Sequence, residues 1–264
     1  MRKNENMRYS DKLFAKKISE LIEGEDIRID AFELLDSTNT EAKRQALGGL
    51  SVPALIIADG QSAGRGRMGR SFYSPASQGL YMSLLVSAKE SVSDSLRLTT
   101  AASVAVARSI EEICGISVGI KWVNDLYLNG RKICGILCES FSGEDGKRYT
   151  VIGVGLNLYT EEFPRDIKNT AAALMPERGM REVFAARIAK KLLEYWKEPN
   201  DSSIIEYYRA NSIVLGKEVV FIESGVEYRA SVKDIDGLGR LCVCLSDGTQ
   251  KILSSGEISL RVDK

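Results

Sequence analysis

The chain has 264 residues, and its 36 Lys and Arg residues are balanced by 36 Asp and Glu residues. With 44% hydrophobic residues it can bury a sizeable core, which argues against disorder, and the balanced charge argues against binding nucleic acid or membrane over the whole surface. The chain has 0 histidines, which excludes Ser/His/Asp and Cys/His catalysis and most zinc sites.

The N-terminal half predicts alternating helices and strands. Apolar side chains recur at helical spacing over 10–24, whereas PALIIAD (53–59) and GLYMSLLVSA (79–88) have the continuous apolar character of buried strands. Thr38 and Glu41 have capping-box spacing, which predicts the start of a second helix. A long helix rich in small and aliphatic residues follows the second of these strands.

The C-terminal half adds a hairpin, further helices and a cluster of short strands. Asn129-Gly130 between two apolar runs indicates a type I′ hairpin. Helical spacing returns over 181–196, and closely spaced strands and turns from Leu215 onward predict a small β-barrel. We therefore predict an α+β fold with a mixed or antiparallel sheet. The predicted boundaries are 1–30 for an N-terminal helical extension, 1–214 for the larger domain that includes it, and 215–264 for the barrel.

Targeting and membrane signals are missing from the sequence. The N-terminus, MRKNENMRYSDKLFAKK, has no apolar segment, and no run approaches the ~18 apolar residues of a membrane-spanning helix. None of the five cysteines belongs to a CxxC pair, which is typical of free thiols in a reducing compartment. We expect a soluble, cytoplasmic protein.

An arginine loop, GQSAGRGRMGR (60–70), combines a GxGxxG spelling with three arginines. A dinucleotide-binding loop must enter a helix, but this one runs through Pro75 into a strand, and no Lys-Ser or Lys-Thr completes a phosphate-binding P-loop. Phosphate contacts to a nucleic acid and a plain solvated loop remain alternatives. The pattern favours a flexible glycine loop that brings bidentate guanidinium groups to a small phosphorylated ligand.

Three further segments carry polar groups where a ligand could bind. Lys121 ends a strand beside Trp122 and either extends into solvent or points at an anion in a pocket. Asn124 and Asp125 follow, either as a turn or as metal or phosphate ligands. The third segment, STNTE (37–41), is either a plain helix cap or a helix N-terminus that offers amides and hydroxyls to a ligand.

Two glycines interrupt the apolar strand VIGVGLN (151–157). Gly153 and Gly155 weaken a strand, so they indicate that something packs closely against the backbone there. Asn157 either contacts a base edge or simply ends the strand.

Together these segments resemble the biotin protein ligase family. The matching motifs, in order, are STN, QSAGRGRMGRSF, KWVNDLYLNGRKICGIL, VIGVGLN and GEISL, and the resemblance extends over roughly residues 30–264. It implies a class II synthetase-like catalytic domain followed by an SH3-like barrel. It also implies that the protein activates biotin with ATP and Mg²⁺ to biotinyl-5′-AMP, releases pyrophosphate, and transfers biotin to a lysine of a biotin carboxyl carrier protein.

The resemblance also implies roles for individual residues. Catalysis is expected to depend on Lys121, which would contact the biotin carboxylate and the α-phosphate, and on Arg65 and Arg67. The implied biotin-binding residues are Ser37, Thr38, Asn39, Gln61, Arg65, Gly66, Arg67, Lys121, Gly135, Gly153 and Gly155. The implied ATP- or adenylate-binding residues are Arg67, Arg70, Asn124 and Asn157, and Asp125 is a candidate ligand for magnesium held by phosphates.

Two departures from the family pattern qualify the resemblance. Val123 stands where the family usually has proline, which is expected to loosen a turn beside the site. Only 36 residues precede Ser37, so we expect a ligase without the DNA-binding module of bifunctional members and without DNA or membrane partners. A homodimer is left open. We also expect residues 64–72 to be mobile without ligand.

The sequence leaves three alternatives to a biotin ligase open. A lipoate or octanoate ligase or transferase shares the catalytic fold, although the arginine loop favours biotin. A regulator that binds biotinyl-AMP would need a DNA-reading domain. A non-catalytic biotin-binding protein would have no use for Lys121 and the three arginines of the loop.

Overall fold

The computed structural model describes residues 9–88, 95–144, 146–198, 200–256 and 258–260. Residues 1–8 of the predicted extension and 261–264 of the predicted barrel lie outside the described residues. The helices are α1 (Tyr9–Leu21), α2 (Thr38–Leu47), α3 (Ser95–Cys114), α4 (Arg181–Lys197) and α5 (Ser202–Ala210). The strands are β1 (Arg28–Leu35), β2 (Ala54–Gln61), β3 (Gly79–Ser87), β4 (Gly119–Lys121), β5 (Asp125–Leu128), β6 (Arg131–Ser142), β7 (Arg148–Asn157), β8 (Glu218–Glu223), β9 (Val226–Ile235), β10 (Leu241–Leu245), β11 (Gln250–Leu253) and β12 (Ile258–Leu260).

A seven-stranded sheet in the order β1-β2-β3-β7-β6-β5-β4 forms the centre of the molecule. Only β1 and β2 pair in parallel, and the other neighbours are antiparallel. Alternate side chains of β2 enter different cores: Leu55 and Ile57 join the core that contains α3 and α4, whereas Ile56 packs with Ala42 and Ala46 of α2. The predicted α+β fold with a mixed sheet is confirmed.

The hairpin between β5 and β6 forms at the predicted dipeptide. Asn129 has φ 50° and Gly130 has φ 75°, the positive values that a type I′ turn requires at both central positions. Opposite Leu126 and Tyr127 the register skips Ile133, which is a β-bulge. A β-bulge changes the direction of neighbouring side chains, and the residue before this bulge is Lys132.

The second helix begins differently from the predicted capping box. Ser37 is the N-cap residue and makes no side-chain cap, and α2 starts at Thr38. The Thr38 amide and hydroxyl both donate to Gln61 Oε1, at 2.8 and 3.2 Å. The prediction of Thr38 as the capping residue is therefore wrong, because its hydrogen-bonding groups are committed to the neighbouring strand β2.

A second, five-stranded antiparallel sheet follows α5, in the order β11-β10-β9-β8-β12, and each strand predicted after Leu215 is present. The turn between β9 and β10 contacts the turn after β4: Trp122 Nε1 donates to the carbonyl of Gly239 at 2.9 Å. The boundary at residue 214 stays a prediction. Among the described residues, no helix combines the length and the apolar character needed to cross a bilayer.

Candidate active site

The arginine loop closes on itself as an irregular hairpin. Backbone bonds join Phe72 N to Gly64 O at 2.8 Å and Gly66 N to Arg70 O at 2.7 Å, and one 3₁₀ turn, Arg67–Gly69, forms the tip. Since β3 follows and no α-helix begins here, the glycines do not form a dinucleotide-binding loop. The loop instead presents its arginines above the centres of β6 and β7.

A small pocket of about 100 Å³ lies beneath the arginine loop. It is bounded by the start of α2, the end of β2, and the centres of β6 and β7. The structure brings together here every predicted biotin-binding residue except Lys121, namely Ser37, Thr38, Asn39, Gln61, Arg65, Gly66, Arg67, Gly135, Gly153 and Gly155.

The floor of the small pocket is a connected polar network. Gln61 accepts from Thr38 and donates through Nε2 to Ser74 Oγ at 2.9 Å. Ser83 Oγ lies 2.7 Å from Asn39 Oδ1 and 2.8 Å from Thr38 Oγ1, and Ser83 is fully buried. Because the polar side chains hold one another, the floor is fixed before any ligand arrives.

Glycines in β6 and β7 make room for side chains that form the pocket walls. A Cβ on Gly153 would lie 2.0 Å from Asn39 Oδ1, and one on Gly155 would lie 2.6 Å from the Phe72 ring. A Cβ on Gly135 would meet Lys132 Nζ at 3.2 Å. The close approach expected at Gly153 and Gly155 is therefore present, and protein side chains make it.

Glu139 joins the arginine loop to the floor, and no sequence pattern indicates this role. Its carboxylate accepts two hydrogen bonds from Arg65 at 3.1 Å each, one from Asn39 at 2.9 Å and one from Lys43 at 2.7 Å. Burial raises the pKa of the Glu139 carboxyl, but the Asn39 and Lys43 hydrogen bonds and the Arg65 charge outweigh it, so the pKa lies below its usual value. The Arg65 guanidinium is thus engaged with protein.

A large pocket of about 350 Å³ adjoins the small one. Its walls include Lys121, Trp122, Tyr127 and Phe163, and the second sheet contributes Gly256 and Ile258. All four residues predicted to bind ATP or its adenylate line it, namely Arg67, Arg70, Asn124 and Asn157. Asn157 is buried and donates to the carbonyl of Ala172 at 3.0 Å, which holds the segment after β7 against the pocket.

The residues common to both pockets form a shared wall: Arg67, Arg70, Ser71, Phe72, Asn124, Asp125 and Lys132. Asn124 anchors it, because its Nδ2 donates to the Ile136 carbonyl at 2.9 Å while its Oδ1 accepts from Arg67 at 3.3 Å. The turn before Asn124 contains a cis peptide between Trp122 and Val123.

Lys132, which sequence reasoning missed, is the lysine that reaches both pockets. Its Nζ lies 2.7 Å from Asp125 Oδ1, and its side chain lines the small and the large pocket. Lys121 lines only the large pocket, with its Nζ 5.7 Å from the centre of the Tyr127 ring. The structure therefore does not place Lys121 among the other predicted biotin-binding residues.

No cluster of three or more Cys, Asp and Glu side chains that could hold a metal is found in the described parts of the chain. Within the shared wall the carboxylate is Asp125, which is paired with Lys132. A protein cage for a metal is thus not formed by these residues, and any divalent cation would need other ligands.

The sequence and structure match known proteins over most of their length. The Biotin/lipoate A/B protein ligase family matches residues 31–157, and the Biotin protein ligase C terminal domain matches 214–261. The chain is 32% identical to the bifunctional ligase/repressor BirA of Bacillus subtilis over 231 residues, which are 84% of this chain and 71% of that protein. It is 29% identical to the biotin–[acetyl-CoA-carboxylase] ligase of Mycobacterium tuberculosis over 244 residues, 88% of each chain.

A solved structure of a biotin protein ligase also has the same fold as this chain. The biotin protein ligase from Aquifex aeolicus in complex with biotin and ATP superposes with a TM-score of 0.75 and 26% identity, over 89% of this chain and 99% of the other. Fold, motif order and both family matches agree, and the chain belongs to the biotin protein ligase family.

Proposed function

We propose that the protein is an ATP-dependent biotin protein ligase. It joins biotin to ATP as biotinyl-5′-AMP with release of pyrophosphate, and then transfers biotin to a lysine of a biotin carboxyl carrier protein. The observation that carries this proposal is the pair of pockets that meet at one wall bearing Arg67, Arg70 and Lys132. Two anionic substrates that must react with each other need two adjoining sites and cations at the junction.

The small pocket is assigned to biotin and the large one to the nucleotide. The small pocket has a fixed polar floor at Thr38, Asn39 and Gln61, which suits the ureido group of biotin, with the valerate carboxylate directed to the shared wall. The large pocket has aromatic walls at Tyr73 and Phe163, whose ring centres are 6.2 Å apart, which suits a flat base.

In the first step a carboxylate oxygen of biotin attacks the α-phosphorus of ATP, and the bond to pyrophosphate breaks. Both reactants are anions, so fixed cations must offset their repulsion and the charge that develops on the phosphate oxygens. Lys132 and Arg67 lie where the pockets meet and are assigned this role. Holding the reactants in line supplies much of the remaining barrier reduction, and no histidine is required.

Magnesium fits this site only as an ion carried by the nucleotide. Mg²⁺ is usually bound by one or two carboxylates together with substrate phosphates, and Asp125 supplies one carboxylate at the shared wall. Such an ion would neutralise charge on the departing pyrophosphate. Whether Asp125 contributes directly stays a prediction.

In the second step the amine of a carrier lysine attacks the carbonyl carbon of the mixed anhydride and AMP leaves. The adenylate is prone to hydrolysis, so the arginine loop above the small pocket is suited to excluding water between the two steps. Mobility of residues 64–72 without ligand stays a prediction, as do the absence of DNA binding, the cytoplasmic location and the oligomeric state.

We expect biotin, and not lipoate, to support ATP–pyrophosphate exchange. The small pocket of about 100 Å³ with its polar floor matches the compact ureido ring of biotin, and a site built to hydrogen-bond a polar group rejects a ligand that lacks it by orders of magnitude. Isotope exchange with each acid at equal concentration is the measurement. Exchange with lipoate alone would assign the chain to the lipoate branch and overturn the proposal.

Arg67→Ala is expected to raise the KM for ATP and to lower kcat for exchange, each about tenfold, because the guanidinium is held at the shared wall by Asn124. Steady-state exchange at varied ATP concentrations is the measurement. Arg178→Ala is the matched control, since this exposed arginine pairs with Glu161 outside both pockets. Equal ATP kinetics in the two variants would remove Arg67 from the nucleotide site.

A further inference from the structure

Glu139 is the point where three separate segments meet beside the small pocket. Its carboxylate on β6 receives hydrogen bonds from Arg65 of the arginine loop and from Asn39 and Lys43 of α2. These donors are 74, 100 and 96 residues away in the chain, so the carboxylate joins elements that nothing local connects.

The geometry at Arg65 differs from that at Arg67. Both terminal nitrogens of Arg65 lie 3.1 Å from Glu139 oxygens, a bidentate pair, whereas Arg67 contacts a neutral amide at 3.3 Å. The Glu139 side chain is 19% exposed, so this carboxylate is partly shielded from solvent. Arg65 thus fixes the base of the loop, and its charge is already matched by protein.

The same carboxylate orients Asn39 on the pocket floor. Asn39 Nδ2 donates to Glu139 Oε2 at 2.9 Å and to the Leu137 carbonyl at 3.2 Å, which leaves Oδ1 directed at Ser83. One carboxylate therefore sets the position of the loop above the pocket and of the amide below it.

We propose that Glu139 is a positioning residue that latches the arginine loop to the pocket floor through Arg65 and thereby sets how long biotin and its adenylate stay bound. This inference rests on the proposed ligase function. Glu139 is not among the residues that line either pocket, so its action is through Arg65 and Asn39.

The test compares Glu139→Gln with wild type in two kinds of measurement. Gln keeps the shape and an acceptor for Asn39 but removes the negative charge that matches Arg65 and Lys43. In the ligand-free protein, trypsin cleavage after Arg67 and Arg70 reports opening of the loop, and we expect it to be about tenfold faster in Glu139→Gln. With ligands, we expect the KM for biotin and the rate of adenylate release to rise about tenfold while kcat for exchange changes less than about threefold.

Double variants separate the latch from a general effect on the fold. Arg65→Gln combined with Glu139→Gln should release adenylate no faster than the more impaired single variant, because both remove one interaction. Lys43→Met should by itself leave cleavage near the wild-type rate. Glu182→Gln is the matched control: the Glu182 side chain is 16% exposed and pairs with Lys17 outside both pockets, so all readouts should match wild type.

The outcomes distinguish failure of the latch from failure of the proposed function. Unchanged trypsin cleavage and unchanged adenylate release in Glu139→Gln would overturn the latch. A lower melting temperature and lower kcat with an unchanged KM for biotin would assign Glu139 to the fold alone and also overturn it. Wild-type protein without biotin-dependent exchange would overturn the ligase proposal, while the cleavage comparison in ligand-free protein would still decide the latch.

Discussion

Lys132→Met is expected to lower biotin-dependent ATP–pyrophosphate exchange by about 10²–10³-fold, the usual cost of removing one group that stabilises charge in a transition state. Methionine keeps a similar length and apolar stem but carries no charge. Lys132 Nζ is held 2.7 Å from Asp125 at the wall shared by the two pockets, where the biotin carboxylate and the α-phosphate are proposed to meet. The loss should fall mainly on kcat, measured by exchange at saturating biotin and ATP.

Lys121→Met is the matched control and also tests the role predicted from the sequence. Lys121 lines only the large pocket, so its loss should act on the nucleotide and raise the KM for ATP about tenfold with kcat largely retained.

The variant Lys132→Met/Asp125→Asn addresses the Asp125 charge that Lys132→Met leaves unpaired. If the double variant recovers most of the exchange, the effect of Lys132→Met comes from that unpaired carboxylate. Near-normal kcat in Lys132→Met with abolished exchange in Lys121→Met would restore the assignment made from the sequence.

The positions of Lys121 and Lys132 relative to the two pockets could not be predicted from the sequence. From the residues alone, Lys121 beside Trp122 either extends into solvent or points at an anion, and its catalytic role is implied only by the family resemblance. Lys132 follows the predicted hairpin turn, and the sequence assigns it no role. What brings Lys132 into the site is the bulge at Ile133 together with the pairing of β5 and β6. A bulge leaves no distinctive residue pattern here, so only the backbone reveals it.

Local signals predicted the elements well, because helix periodicity, the Asn129-Gly130 turn and the short C-terminal strands are all encoded within a few residues. Contacts between residues that are distant in the sequence were not predicted. Gly153 indicated a close approach, but its neighbour Asn39 lies on a different element more than a hundred residues away. The capping-box spacing of Thr38 and Glu41 predicts a cap, but both donors of Thr38 go to Gln61, which is 23 residues away in the chain. Residues that act through such contacts, Glu139 above all, could not be found from one sequence.

A graded series of glycine-to-alanine substitutions should measure how tightly the small pocket is built. The added Cβ would lie 3.2 Å from its nearest neighbour at Gly135, 2.6 Å at Gly155 and 2.0 Å at Gly153. At Gly135 the end of the Lys132 side chain needs to shift by only a few tenths of an ångström, so the effect should be small, whereas at Gly155 the Phe72 ring must shift. At Gly153 the buried Asn39 must leave its position beside Ser83, and the overpacking should cost about 1–3 kcal/mol of unfolding free energy.

Displacement of these neighbouring side chains should also raise the KM for biotin, in the order Gly135→Ala, Gly155→Ala, Gly153→Ala. The rise should reach about 100-fold for Gly153→Ala, which corresponds to a change of about 2.8 kcal/mol in binding free energy. Gly237→Ala is the control, because no heavy atom lies within 4 Å of its added Cβ and its φ is outside the positive range. Urea unfolding and biotin-dependent exchange give the two readouts. If Gly153→Ala binds biotin as well as Gly237→Ala does, the contact between Asn39 and Gly153 has no part in shaping the pocket. A rise in KM in the predicted order, with Gly237→Ala unchanged, would instead mean that these glycines serve biotin binding by admitting the side chains that form the pocket.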